Sequence, residues 1–240
     1  MSDSAADSLS AMKNRERTPE DAVAIGRVIG GVGRRIAVCR DADPSSDMMA
    51  NALISGLLSV GTEVWDAGVV PTPVAAFAAK KMDALASVCA SGIPGNISGI
   101  SLYNSDGSRF REEQERELFV KHRDKTYRLQ SFKGTGSLRM FERVEDDYVR
   151  AVSRNHKAPR SPVILDCGCG CVSSCAPHVL TTIGTDLVCL NAHRDPKFRP
   201  RSRAASLGGH EEEILASDTG SIGLSINGDG TKLSVSDERG

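Results

Sequence analysis

The sequence predicts an α/β fold of two domains, each a mainly parallel sheet with helices on its faces, on three observations. Short apolar runs of strand length alternate with stretches of helical periodicity through most of the chain. A polar stretch containing "KGTGS" and "NHKAPRSP" interrupts that alternation near the middle. The chain has 240 residues, enough to build two cores of ordinary size. The first domain is expected at residues 1–135 and the second at residues 145–240.

In the first half, "TPEDAVAIGRVIGG" opens the series as a helix. Thr18 can cap it, Pro19 suits the first helical position, and Glu20 and Asp21 face the positive end of the helix dipole. Gly30 and Gly31 end it. "RIAVCRD" reads as a strand, and "PSSDMMANALISGLLSVG" as a helix with one apolar stripe through Met49, Leu53, Leu57 and Val60. "TEVWDAG" is a strand and "PTPVAAFAAKKM" a helix. "ASVCAS" and "SGISLYN" are two further strands, and "REEQERELFVKH" closes the unit as an amphipathic helix. One helix, "VEDDYVRAV", lies within the polar boundary region. In the second half, strand "VILDCG", helix "CAPHVLTTIG" and strand "DLVCLN" are followed by a long polar loop. A short helix around "HEEEILAS" and strands "SIGLSIN" and "KLSVSD" complete the pattern.

The charge balance excludes some functions. Formal net charge is −1, so no overall basic field draws in nucleic acid. The most basic segments, residues 121–128, 150–160 and 194–203, read as solvated linker faces. Aromatic residues make up 4% of the chain, too few for base-stacking platforms. No apolar run approaches the roughly 20 residues that cross a bilayer. The polar start "MSDSAADSLSAMKNRER" lacks the apolar core of a signal peptide, so a cytoplasmic location is expected, with the seven cysteines as reduced thiols.

Three stretches invite a chemical reading. Ser91 follows an apolar run on the Gly/Pro loop "SGIPGN", where nucleophiles often stand, yet no activating side chain is near it in sequence. Cys167, Cys169, Cys171 and Cys175 form a C-x-C-x-C-x3-C run. On an extended chain, alternate cysteines could face one metal ion or serve a redox sensor. The spacing departs from C-x2-C knuckles, and a Gly-rich turn lined with small thiols is the competing reading. His178, His193 and His210 are scattered and suggest no shared site. In "INGDGTKLSV", Asn227, Asp229 and Thr231 stand at i, i+2 and i+4 on a Gly-punctuated turn. Their oxygens could converge on a hard cation such as magnesium, or the stretch could be a plain hairpin turn.

Together these pieces resemble the α-D-phosphohexomutase superfamily of phosphoglucomutases and phosphomannomutases. The resemblance runs from Thr18 onward. It is most specific in "RIAVCRDADPSSDMMANALISGLLSVGTEVWDAGVVPTPVAAFAAKK", "NSDGSRF" and "VILDCGCGCVSSC". It implies an α/β fold of two three-layer α/β/α domains with mixed sheets, and sugar-phosphate mutation in carbohydrate metabolism through a phosphoserine, at Ser91, and a magnesium ion held by that residue with three loop aspartates. At the corresponding positions stand Asn227, Asp229 and Thr231, so one carboxylate remains, and Lys232 takes the place of a phosphate-binding arginine. Around Ser91, Ala90 and Pro94 match, while Gly92, Ile93, Ser98 and Ser101 replace His, Asn, Asn and Lys. The family's G-T-S-G-x-R phosphate loop and its third and fourth domains have no counterpart. The expectation is therefore a phosphohexomutase-like protein that is not an autonomous catalyst. Its ligand is expected to be a sugar phosphate, with magnesium weak or absent. A homodimer or a partner chain supplying the missing domains is expected to complete it. The alternatives are a non-catalytic binding paralogue, one half of a split enzyme, or a cysteine-based sensor.

Overall fold

The computed structural model describes residues 18–90, 99–195 and 220–237, with residues 88–90 described as backbone. Within these residues, contacts gather into two compact units. One lies in Met1–Gly68 and Ala75–Glu142, the other in Val69–Val74 and Arg143–Gly240.

The first unit follows the predicted order closely. Helix α1 (Pro19–Gly30) starts at a complete capping box. The Asp21 amide donates to the Thr18 hydroxyl, and the Thr18 amide donates to the Asp21 carboxylate. Strand β1 (Arg35–Arg40), helix α2 (Pro44–Ser59), strand β2 (Glu63–Val69), helix α3 (Thr72–Met82) and strands β3 (Leu85–Ala90) and β4 (Gly99–Tyr103) come next. Helix α4 (Glu112–Arg123) ends the predicted series. Met49, Leu53 and Leu57 are fully buried as expected, whereas Val60 caps α2 from outside and is half-buried. Helices α1 and α2 pack at glycines. A Cβ on Gly56 would stand 2.1 Å from the Val23 carbonyl oxygen, and one on Gly26 would stand 2.4 Å from that of Leu53. The helices therefore approach backbone to backbone, over a core of Ile29, Ile36, Val38 and Val64.

One element was not anticipated. Strand β5 (Leu138–Met140) lies at the sheet edge, pairing parallel to β2. All three of its residues are exposed, so it carries no burial pattern by which to recognise it. The sheet order is β4-β3-β1-β2-β5 and is mixed, with β1 parallel to β3 and β3 antiparallel to β4. The chain steps from β1 to β2 on one side, then crosses back to β3 on the other. Between β1 and β3 this makes the kind of switch point where α/β sheets bind ligands.

In the second unit, helix α5 (Val144–Ser153) precedes β6 (Val163–Asp166), a 3₁₀ turn at Cys171–Ser174, helix α6 (Ala176–Thr182) and β7 (Leu187–Leu190). Strands β8 (Ile222–Ile226) and β9 (Leu233–Ser236) form the predicted hairpin. The order is β7-β6-β8-β9, with β6 parallel to both neighbours. Every residue of β6 is buried, and Leu165 with Cys167 and Val172 centres this unit's core. Because β6 and β8 run parallel, the loops that follow them emerge side by side. That brings the cysteine run next to the Asn227 turn. The helix expected around "HEEEILAS", with His210, lies outside the described residues. Among the described residues, no helix is long and apolar enough to cross a membrane.

Candidate functional site

The turn after β8 is the best-defined part of the site. It is held first by its backbone, as the Asn227 amide donates to the Lys232 carbonyl at 3.1 Å and the Gly230 amide to that of Asn227 at 2.8 Å. Its side chains then bond to one another. Asn227 Oδ1 accepts the Lys232 amide at 2.7 Å, and Asn227 Nδ2 donates to Thr231 Oγ1 at 2.9 Å. Thr231 donates from both its hydroxyl, at 2.7 Å, and its amide, at 3.0 Å, to Asp229 Oδ1. Because a backbone N–H can only donate, the Lys232 amide fixes which end of the Asn227 side chain is oxygen. The three residues predicted to converge do come together, but on each other. The Lys232 side chain is exposed.

The cysteine run buttresses this turn. Asp166 Oδ1 accepts the Gly168 amide at 2.8 Å and Asn191 Nδ2 at 2.9 Å, shaping the exit from β6. Gly168 and Cys169 then take left-handed φ values of 54° and 52°. The run is thus a tight turn and not the extended strand on which alternate thiols would share one side. It passes so close to the hairpin loop that a Cβ on Gly170 would lie 2.1 Å from Gly228 Cα. The Cys171 thiol donates to the Gly228 carbonyl at 3.0 Å, and the Val172 amide reaches the same oxygen at 3.4 Å. All four cysteines are buried. Burial, with smaller contributions from Cys189, Asp166 and Cys169, pushes the Cys167 thiol up to about 12. Cys175 is pushed to about 12 as well, by burial and then the Glu145 charge, partly offset by Arg194. Among the described residues, no three His, Cys, Asp or Glu side chains stand where they could hold one metal ion.

The remaining predicted residues divide by whether they are described. Ser91, Gly92, Ile93, Pro94 and Ser98 lie outside the described residues. In sequence, Ser91 directly follows Ala90, the last residue of β3. Ser101 is half-buried on β4, opposite Val88. His178 is exposed on α6, and His193 is exposed after β7.

Two ionic clusters were missed by sequence reasoning. At the carboxyl ends of β1 and β2, Arg40 contacts Asp66 at 2.7 Å through Nη1 and Asp47 at 2.6 Å through Nε. Burial works against the Arg40 charge, but bonding to Asp66 and Asp47 outweighs it and raises its pKa. In the second unit, Ser174 donates to Glu145, which also meets Arg194 at 3.5 Å. The "RD" at a strand end was visible, but partners 26 residues away were not.

A magnesium ion does not fit the turn as it stands. Hard divalent cations need several anionic oxygens with free lone pairs. Here there is one carboxylate, one amide oxygen already accepting the Lys232 amide, and a hydroxyl and an amide nitrogen that donate into the loop.

The architecture matches solved structures. It superposes on a phosphoglucomutase/phosphomannomutase family protein from Burkholderia thailandensis with TM-score 0.79 and 26% identity, covering 93% of this chain and 52% of that one. A putative phosphomannomutase from Thermus thermophilus shares the fold at TM-score 0.77 and 17% identity. These likenesses define the class as an α/β fold of the hexose-phosphate mutase type. A sequence profile described as phosphoglucomutase/phosphomannomutase, alpha/beta/alpha domain I, matches residues 6–127. A probable phosphoglucosamine mutase of Methanosphaera stadtmanae is 31% identical over 225 residues, 90% of this chain and 50% of the relative. A phosphoglucosamine mutase of Methanococcus aeolicus is 28% identical over 245 residues, 96% of this chain and 53% of the relative. The chain belongs to the phosphoglucomutase/phosphomannomutase family. It spans about half the length of the curated relatives it matches.

Proposed function

We propose that this chain binds a hexose phosphate, a hexosamine phosphate by analogy with its relatives, and does not turn it over alone. The observation that carries the second half is the turn at Asn227–Lys232, where two hydrogen-bond donors, Asn227 and Thr231, stand beside a single carboxylate at positions for which the family resemblance implies anionic ligands. Phosphoryl transfer depends on neutralising charge spread over the phosphate oxygens and on holding both reacting centres in place. One carboxylate supplies little of that. The exposed Lys232 ammonium offers an electrostatic contact for a phosphate group, and Ser91 is the residue on which transfer would centre. Catalytic competence then rests on residues beyond the stretch described here, consistent with relatives about twice as long.

The test is calorimetric titration with glucosamine 1-phosphate and glucosamine 6-phosphate, alongside a mutase assay with a hexose bisphosphate activator and magnesium. Binding that weakens on Lys232→Ala, with turnover at background, is the expected result. Turnover that vanishes in Ser91→Ala would show the chain to be a competent mutase. No binding of either sugar phosphate would remove the ligand assignment. The buried, proton-holding thiols give no support to a sensor role.

A further inference from the structure

The turn after β8 and the cysteine run after β6 look like separate features in sequence, but they form one construction. The turn is fixed from three directions. Its own side chains make a one-way relay, in which Asn227 donates to Thr231 and Thr231 donates to Asp229. The Gly228 carbonyl accepts the Cys171 thiol and the Val172 amide. The Asp229 carbonyl accepts the Thr72 amide at 2.9 Å, tying residues 69–74 to the hairpin within the same unit. Packing closes what remains. A Cβ on Gly230, where φ is 78°, would meet Pro71 and Val172 at 3.1 Å and Pro73 at 3.2 Å.

A loop that gathers charged oxygens around a cation is held open by repulsion until the cation arrives. This loop has the opposite design. Two of its three polar side chains donate protons, Asn227 to the Thr231 hydroxyl oxygen and Thr231 in turn to the single carboxylate. A cation entering here would have to displace the Thr231 hydroxyl proton from Asp229. It would also have to turn the Asn227 amide over, which leaves the Lys232 amide unpaired.

We propose that Asn227, Thr231 and Asp229 form a cation-independent clasp, in which two hydrogen-bond donors replace a divalent ion and lock residues 69–74 onto the β8–β9 hairpin. Two substitutions should reverse the design. Asn227→Asp and Thr231→Asp exchange both donors for carboxylates with almost no change in backbone. The double variant should then bind the ion that the natural sequence excludes.

The experiment is thermal unfolding of the full chain in EDTA and in about 10 mM magnesium chloride, at matched ionic strength. For the unmodified protein the midpoint should differ by less than about 1 °C. The double variant should melt several degrees lower in EDTA and recover with magnesium, saturably. If the double variant does not fold, Asn227→Asp alone carries the test, since it is isosteric and breaks only the bond to Thr231. It should lose stability in EDTA and regain part of it with magnesium. A saturable magnesium-dependent rise in the unmodified protein that Asp229→Asn abolishes would overturn the proposal. So would an Asn227→Asp variant as stable as the parent in EDTA. Neither readout involves sugar phosphate, so failure here is distinct from failure of the proposed binding function.

Discussion

Cysteine accessibility separates the thiols one by one. Cys167, Cys169, Cys171 and Cys175 are buried around the turn after β6, while Cys189 is exposed on β7. Attack on an alkylating reagent requires the thiolate. Burial raises the Cys189 pKa too, but the residue is exposed, whereas Cys167 and Cys175 are both buried and pushed up to about 12. Brief alkylation of the native protein at mildly alkaline pH should therefore label Cys189 ahead of the other four. Peptide mapping of the labelled protein decides the point. Labelling of Cys167 or Cys175 at the rate of Cys189 would mean that the turn opens readily. The residue types at this turn were legible in sequence, and so was their proximity in the turn after β8. The direction of the hydrogen bonds was not. Whether Asn227 and Thr231 present oxygens or protons depends on the Lys232 amide and the Asp229 carboxylate, which only a folded backbone places.

Elements with a strong local signature were readable, and those without one were not. Helix α1 carries its capping box and an acidic first turn in consecutive residues. Strand β6 is a continuous apolar run because both its faces are covered. Strand β5 has three exposed residues and owes its existence to pairing with β2, a long-range term invisible in its own sequence. The α1–α2 contact belongs to the same class. Gly26 and Gly56 read as poor helix formers, yet they let the two backbones meet. Gly56→Ala improves intrinsic helix propensity by roughly 1 kcal/mol, but drives a methyl group against the Val23 carbonyl. Backbone is the obstacle, so the helices must separate and Leu53 and Leu57 lose packing. The net loss should be about 2–3 kcal/mol, read as a lower urea midpoint with an unchanged slope. A variant as stable as the parent would show that the helices do not meet at these glycines.

At the scale of the whole molecule, among the described residues, the carboxylates with shifted pKa values and the thiols and phenol with shifted values fall in different units. Glu20, Asp106 and Asp124, whose pKa values are lowered by hydrogen bonding, belong to the first unit. Cys167, Cys175, Cys189 and Tyr148, whose values are raised chiefly by burial, belong to the second. A buried thiol with a folded-state pKa of about 12 holds its proton through a range in which the unfolded chain, with an ordinary value of 9.0, has released it. The folded state then binds more protons than the unfolded state, so stability falls as pH rises. The contribution of each thiol is complete below about pH 9 and shrinks above it, by at most about 1.4 kcal/mol per pH unit. Tyr148 acts in the same direction above its ordinary value of 10.0. Each unit has its own sheet and its own apolar cluster, so alkaline weakening should begin in the second. The single tryptophan, Trp65, lies on β2 in the first unit and stacks edge-on with Phe141 at 5.7 Å, so its fluorescence reports that unit alone. Between pH 7 and pH 10, melting followed by far-ultraviolet circular dichroism should develop an earlier transition that Trp65 fluorescence does not share. In Cys175→Ala this early transition should move less with pH, because one of the two strongly shifted thiols is gone. Coincident optical transitions that fall together across this range would show the two units unfolding as one, and would exclude the second unit as the site of alkaline weakening.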